Sequence, residues 1–157
     1  MKIDKLWNGL KQIANGDYVL EGDLISEETI EIDLDDRLVI KGKVQTQKSI
    51  IVRWGIEAGE GIEAGCGIKA GCGIEAGWGI KAGCGIKAGY GIEAGWGIEA
   101  GDSIKAKTFI DVKKRIFAGL SIYKTSKDCD KIIRCSELRN GEICYGDLTL
   151  VKTDDRI

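Results

Sequence analysis

Histidine and proline are absent from this chain. Without histidine, a zinc site would need four converging cysteine thiolates. A cysteine nucleophile would also lack its usual activating base. None of the six cysteines lies in a C-x-x-C pair, and a secretory context is not indicated. We therefore expect a non-catalytic protein with no metal site and no cofactor, whose cysteines are reduced and mostly buried.

Long apolar runs and a strong excess of one charge are also missing. No window is apolar enough to cross a bilayer, and the N-terminus has no apolar signal core. The net charge is −2, so no global field attracts the chain to nucleic acid or to a membrane surface. These absences predict a cytoplasmic protein without membrane association, and nucleic acid is not expected as a partner.

Glycine is abundant, and most of it belongs to a six-residue unit, Gly-Ile-(Glu/Lys)-Ala-Gly-x, repeated from Trp54 to Lys107. Ile and Ala lie two residues apart, so in a strand both point to one face and the Glu or Lys between them points to water. A helix would carry a glycine every few residues at a cost of about 1 kcal/mol each. The repeat thus predicts short strands joined by Gly-x-Gly corners, where we expect glycine to supply positive φ angles. Such units must stack to bury their apolar faces, which predicts an all-β solenoid.

The six-residue phase extends beyond the near-perfect repeats. Its first inward position runs through Ile32, Leu38, Ile110, Ile116 and Ile122, and its second runs from Leu34 to Ala118. Coils of two units, with 12 residues, would place opposite charges beside each other. Coils of three units, with 18 residues, would stack Glu57 on Glu75 and Lys69 on Lys87 but enclose a fuller core for isoleucine. We predict the three-sided form.

The two ends are predicted to be caps on a single domain, with the solenoid over residues 17–127. Residues 1–16 place Ile3, Leu6, Trp7, Leu10 and Ile13 on one helical stripe, which predicts an N-terminal helical cap or, alternatively, a partner-binding or membrane-surface helix. Residues 128–157 break the phase. Strands are expected at 131–135, 142–145 and 148–151, with a turn at 139–141 that makes a C-terminal β-hairpin cap, followed by a loose tail.

Two charged segments flank the repeats. Residues 17–36 contain acidic but no basic side chains, which is typical of a solvated face or of a patch that binds a basic partner or imitates nucleic-acid phosphate. Residues 107–127 contain a basic cluster that includes Lys113, Lys114 and Arg115. It is either a solvated edge or a surface for an acidic partner.

The middle residue of each corner varies and includes the large aromatic side chains. In the three-sided form Trp54, Cys72 and Tyr90 share one edge, whereas Trp78 and Trp96 share another with Glu60. If these side chains point outward they form an exposed aromatic ladder, which usually marks an interface. If the strand alternation continues through the corner, they fill the core instead. The candidate interaction surface therefore consists of these residues: Trp54, Trp78, Tyr90, Trp96, Lys113, Lys114 and Arg115.

The stretch LVIKGKVQTQKSIIVRWGIEAG at 38–59, with the G-I-x-A units that follow it, resembles the bactofilin, or polymer-forming cytoskeletal, family. The resemblance covers residues 32–124. It implies a right-handed, three-sided β-helix that joins end to end into filaments.

Three functional hypotheses follow, and the third of them, an enzyme, is disfavoured because the chain has no histidine and no nucleophile–base pair. The first is a rigid module that binds a protein partner or acts as a scaffold, either as a monomer or together with a second copy of the chain. Near-identical repeats are typical of recent duplication, so a phage or mobile-element inhibitor of a host factor is one setting for such a module. The second is a bactofilin-like filament subunit, although capped ends would block end-to-end stacking.

Overall fold

The repeats form three-residue strands that coil around one apolar core. The computed structural model describes residues 1–121 and 131–152. Along the repeats, each strand pairs in parallel with the strand one coil later, so that Ile62 lies beside Ile80 and Glu63 beside Lys81. Each coil thus contains three six-residue units, and the chain forms about seven coils of 18 residues. The predicted three-sided β-solenoid is confirmed, and the two-sided alternative is wrong.

The three sides of the solenoid are defined here by their strands. The first face contains β3 (Tyr18–Leu20), β6 (Leu38–Ile40), β9 (Ile56–Ala58), β12 (Ile74–Ala76) and β15 (Ile92–Ala94). The second contains β4 (Leu24–Ser26), β7 (Val44–Thr46), β10 (Ile62–Ala64), β13 (Ile80–Ala82) and β16 (Ile98–Ala100). The third contains β5 (Ile30–Ile32), β8 (Ile50–Val52), β11 (Ile68–Ala70), β14 (Ile86–Ala88), β17 (Ile104–Ala106), β19 (Ile132–Cys135) and β21 (Asp147–Leu150). Two longer strands, β18 (Phe109–Ala118) and β20 (Glu137–Tyr145), bend across the first and second faces.

The core follows the repeat directly. In β13, Ile80 and Ala82 are buried while Lys81 between them is exposed, and the other repeat strands bury their isoleucine and alanine in the same way. Parallel pairing places the isoleucines of successive coils in contact rows, such as Ile62, Ile80 and Ile98. The rows from the three faces enclose one continuous apolar core from the first coil to Ile133 and Cys135.

Glycine is needed after the repeat strands because the backbones of successive coils approach each other closely there. The repeat glycines do not supply positive φ angles, so that expectation from the sequence is wrong. Among the described residues, positive φ angles occur only outside the perfect repeats, at Gly9, Gly16, Gly22, Gly119, Gly141 and Gly146. A Cβ on Gly71, which follows β11, would instead collide with the carbonyl oxygen of Arg53 one coil earlier. The glycine before the next strand is less confined, since a Cβ on Gly73 would lie 3.7 Å from the carbonyl oxygen of Gly91.

The N-terminal segment forms two strands, and the predicted helical cap is wrong. β1 (Lys2–Ile3) pairs in parallel with β5, and β2 (Leu10–Gln12) pairs antiparallel with β3. The first coil would otherwise expose unpaired backbone groups along these edges, and strand pairing satisfies them where a helix could not. Ile3 is fully buried by this arrangement, whereas Leu6 on the same predicted stripe is 93% exposed.

The first coil is longer than the sequence phase predicted. Ile30 pairs with Ile50 and Tyr18 pairs with Leu38, a separation of two residues more than in the repeats. The extra residues lie in the corner between β5 and β6. Ile30 and Ile32 are therefore the inward pair of β5, and Leu34, which was expected in that role, is buried within the corner.

The predicted C-terminal strand cap is consistent with the structure, but its strands continue the coil in parallel, so the predicted hairpin is wrong. β20 pairs in parallel with β18, and β21 pairs in parallel with β19. The expected turn at 139–141 lies inside β20, where Gly141 has a φ of 123° and the pairing with β18 shifts in register. Parallel addition lets Leu138 and Ile143 pack against the core, which a separate hairpin would not. The predicted inward positions Ile110 and Ile116 are confirmed, whereas Ile122 and the tail from Thr153 lie outside the described residues.

Candidate interaction surface

The aromatic corner residues point to solvent, so the alternative in which they fill the core is wrong. Trp78 and Trp96 are each 62% exposed, and Trp54 and Tyr90 are about half exposed. The backbone of each corner stacks on the corner one coil earlier. The N–H of Trp78 donates to the carbonyl of Glu60, and the N–H of Trp96 donates to that of Trp78. The strand alternation therefore stops at the corner, and the middle side chain projects outward.

The tryptophan edge, formed by Glu60, Trp78, Trp96 and Lys114, lies between the first and second faces. The ring centroids of Trp78 and Trp96 are 6.5 Å apart with an interplanar angle of 23°, which is a stacked arrangement. The Lys114 Nζ lies 4.5 Å from the Trp96 centroid, a cation–π contact that extends the stack. The edge thus presents a rigid apolar surface that ends in a cation.

A groove of about 790 Å³ runs beside the tryptophan edge along the second face. Its walls include Trp78, Trp96, Lys114 and Arg115. Its floor is a row of outward side chains, one from each successive strand: Gln45, Glu63, Lys81, Glu99 and Phe117. The sequence analysis did not predict this floor. The signal was present, because residues 18 positions apart lie in one line along a face of the solenoid.

The other aromatic corner residues lie on a separate edge, between the third and first faces. Trp54 and Tyr90 occupy this tyrosine edge together with the half-buried Cys72. The rings of Tyr90 and Phe109 pack edge-on with their centroids 5.6 Å apart. The guanidinium of Arg139 lies 3.6 Å from the Phe109 centroid. The seven predicted residues therefore do not form one site. The structure brings Trp78, Trp96, Lys114 and Arg115 together, places Trp54 and Tyr90 elsewhere, and puts Lys113 beside carboxylates of the first face.

On the first and third faces the outward middle residues segregate by charge, as the 18-residue coil predicted. The first face carries an acidic row of Glu57, Glu75, Glu93 and Asp111. The third face carries a basic row of Lys69, Lys87, Lys105 and Arg134. Partial burial and then the neighbouring carboxylates of Glu57 and Glu93 raise the pKa of Glu75 above its usual value.

Acidic side chains between residues 17 and 36 fasten the N-terminal segment to the first coils. Asp17 accepts hydrogen bonds from Arg37 and Asn15, and Asp35 accepts from Lys5 and the Tyr18 hydroxyl. Hydrogen bonds from Arg37 and Lys5 lower the pKa values of Asp17 and Asp35, respectively. Local pairing neutralises part of this segment, which weakens the hypothesis of an acidic patch for a basic partner.

The Asp17→Asn substitution is expected to cost about 1.5–3 kcal/mol at neutral pH, because it weakens a charge-assisted hydrogen bond at a nearly buried carboxylate. The folded state lowers the pKa of Asp17 below its usual value of 3.8, so this stabilisation is present above that value and is lost as the pH falls through the lowered pKa. Denaturant unfolding from pH 7 to pH 2 should show the difference from wild type shrinking. Glu21→Gln, an exposed change in the same segment, should stay within about 0.5 kcal/mol of wild type at pH 7. A loss that is constant with pH would contradict this account.

The cysteines do not form a common site among the described residues. Cys135 is buried, and burial raises the pKa of its thiol. Cys66, Cys72 and Cys84 are half-buried at corners, and Cys144 is exposed. Of the five described cysteines, only Cys135 meets the expectation of burial, while Cys129 lies outside the described residues.

Among residues 1–121 and 131–152, no group of three or more metal-ligating side chains converges. In the same part of the chain, no helix has the length and apolarity to cross a membrane. No protein-family model, curated protein or solved structure matches the chain.

Proposed function

We propose that this protein is a non-catalytic β-solenoid that binds a protein partner through the tryptophan edge and its groove. The observation that carries the proposal is the exposed Trp78–Trp96 stack on a corner whose backbone is hydrogen-bonded from coil to coil. Tryptophan and arginine are the residues most enriched at energetic centres of protein interfaces. A phage or mobile-element protein that blocks a host factor is one setting in which such a module would act.

The groove chemistry supports a particular kind of partner. The tryptophan pair offers an apolar platform, and Lys114 and Arg115 place two cations at one end of it. A partner surface with an apolar side chain beside a carboxylate would satisfy both features. The stacked backbone of the corners holds the platform in place, so binding would order few residues of this protein.

Replacing both Trp78 and Trp96 by alanine is expected to abolish partner retention with little loss of stability. The purified protein would be immobilised as bait in cell extract, and retained proteins would be compared by quantitative mass spectrometry. A partner of the tryptophan edge should be lost by more than tenfold from the double variant and kept by Trp54→Ala, the matched control on the tyrosine edge. The free energy of unfolding of the double variant should fall by about 1 kcal/mol, the contribution of an aromatic pair. Replacing a buried tryptophan by alanine would instead cost about 3–5 kcal/mol. Equal retention by all three baits would overturn the proposal.

A bactofilin-like filament subunit is the second candidate, and the exposed apolar side chains of the last described strand, β21, favour it. Beyond β20 and β21 no further strand pairs among the described residues. Leu148 and Leu150 stand opposite the buried Ile133 and Cys135, yet they are 40% and 59% exposed. An unpaired strand edge with exposed apolar side chains is a template for pairing with another chain. At the other end, β1 and β2 cover part of the first coil, which works against repeated stacking.

Light scattering and negative-stain images of one purified sample separate the two candidates. Filaments the width of one solenoid would favour end-to-end assembly. A single sharp mass without filaments would eliminate it and leave the tryptophan edge as the leading surface.

A further inference from the structure

The acidic and basic rows lie on different faces but are built from the same coils. The acidic row runs through β9, β12, β15 and β18, and the basic row runs through β11, β14, β17 and β19. Each row contributes one charge per coil, at the strand spacing of about 4.8 Å. The two rows therefore have the same number of charges and the same spacing.

Six of these eight charges form no ion pair within 4.0 Å in the described part of the chain, although Lys113 lies beside Glu93 and Asp111. Among residues 1–121 and 131–152, no carboxylate lies within 4.0 Å of the ammonium groups of Lys69, Lys87 or Lys105. In the acidic row, Arg37 reaches Glu57 at 2.9 Å and Glu75 at 3.9 Å but does not extend to Glu93. Like charges on neighbouring strands repel, so each row destabilises the isolated coil.

The fold does not impose this segregation. On the second face the same repeat position alternates as Glu63, Lys81 and Glu99, and Lys81 pairs with Glu99 at 3.5 Å. The position therefore accepts either sign without a change in the buried Ile and Ala. Single substitutions would give mixed rows on the other two faces as well, and the uniform rows call for a physical role outside the monomer.

We propose that the acidic row of one copy docks on the basic row of a second copy, side by side. The equal spacing lets the four positions of one row meet the four positions of the other in register, with the flat sheet faces in contact. The contact joins two different faces, so it is heterologous, and it either continues or closes into a ring. This surface is separate from the tryptophan edge and does not depend on the proposed partner there.

A second copy fits these observations better than a polyanion. A polyanion would occupy only the basic row and leave the acidic row unexplained, and the chain carries a net charge of −2 that opposes its approach. A second copy explains both rows at once.

Sedimentation velocity of the full chain at two salt concentrations tests the proposal. Association is expected at about 10 mM NaCl, where the screening length is about 30 Å, and dissociation at about 1 M NaCl, where it is about 3 Å. Glu75→Lys/Glu93→Lys and Lys87→Glu/Lys105→Glu should each weaken association more than tenfold. An equimolar mixture of the two reversed variants should associate again, because each then offers the charge that the other needs.

Controls keep the outcome interpretable. Lys81→Glu/Glu99→Lys exchanges a pair on the second face without changing net charge, and it should associate like wild type. Circular dichroism would check that each variant folds. If Lys87→Glu/Lys105→Glu does not fold, Lys87→Gln/Lys105→Gln takes its place. A wild-type monomer at low salt, association unaffected by the reversals, or no recovery in the mixture would each overturn the proposal. A fluorescent oligonucleotide that binds the monomeric wild type and not Lys87→Glu/Lys105→Glu would assign the basic row to a polyanion instead.

Discussion

Replacing Gly71 by alanine is expected to destabilise the solenoid by about 3 kcal/mol or more, at the upper end of what overpacking costs. The new Cβ would collide with the carbonyl oxygen of Arg53 and lie 3.1 Å from its carbonyl carbon. Backbone atoms of a stacked corner have no rotamer into which they can retreat. The strain must instead separate two coils and weaken hydrogen bonds such as that from the Gly71 N–H to the Val52 carbonyl.

Gly73→Ala in the same corner is the matched control. Its Cβ would make an ordinary contact at 3.7 Å, and its φ is not positive, so alanine fits the folded chain and restricts the unfolded one. Its effect should lie within about 1 kcal/mol of zero. Denaturant unfolding of both variants at one pH measures the difference. Equal effects at Gly71 and Gly73 would show that the corner spacing adjusts freely and that close approach is not the reason for glycine.

Ile80→Ala is expected to cost about 2–5 kcal/mol, the range for removing a large aliphatic side chain from a core. Ile80 is 1% exposed and stands in a row between Ile62 and Ile98. The neighbouring inward residue, Ala82, is small and cannot fill the space. Because the strands above and below are held by parallel pairing, the cavity has little freedom to collapse.

The control for this prediction is the adjacent outward position. Lys81→Ala removes a comparable number of atoms from a side chain that is 58% exposed and, within the described residues, bridges only to Glu99, so it should cost less than about 1 kcal/mol. Chemical denaturation followed by far-UV circular dichroism measures both variants. If Lys81→Ala cost as much as Ile80→Ala, the inward and outward assignment of β13 would be contradicted.

The repeat region could be predicted because its information is local. The two-residue spacing of Ile56 and Ala58 decides which side chains face inward, whatever the rest of the chain does. Choosing three units per coil required a nonlocal argument about core volume, which outweighed the repulsion of stacked charges. The structure confirms that choice, and the charge rows are its direct consequence.

The ends could not be predicted in this way. Ile3 and Leu10 fit a helical stripe as well as they fit strands, and the strand state wins because the first coil offers backbone groups to β1 and β2. The turn signal at 139–141 lost to continued pairing of β20 with β18 for the same reason. In both cases an existing sheet edge selected the local conformation.

The sequence by itself determined the six-residue period, the inward Ile and Ala, the outward Glu and Lys, and the need to coil, because side-chain alternation in a strand is a property of neighbouring residues. Only the tertiary structure decided that Trp78 and Trp96 face solvent and that the corner glycines are required by carbonyl groups 18 residues earlier. Each of these depends on contacts between coils, and the distance between coils is set by backbone pairing rather than by any residue's own preference.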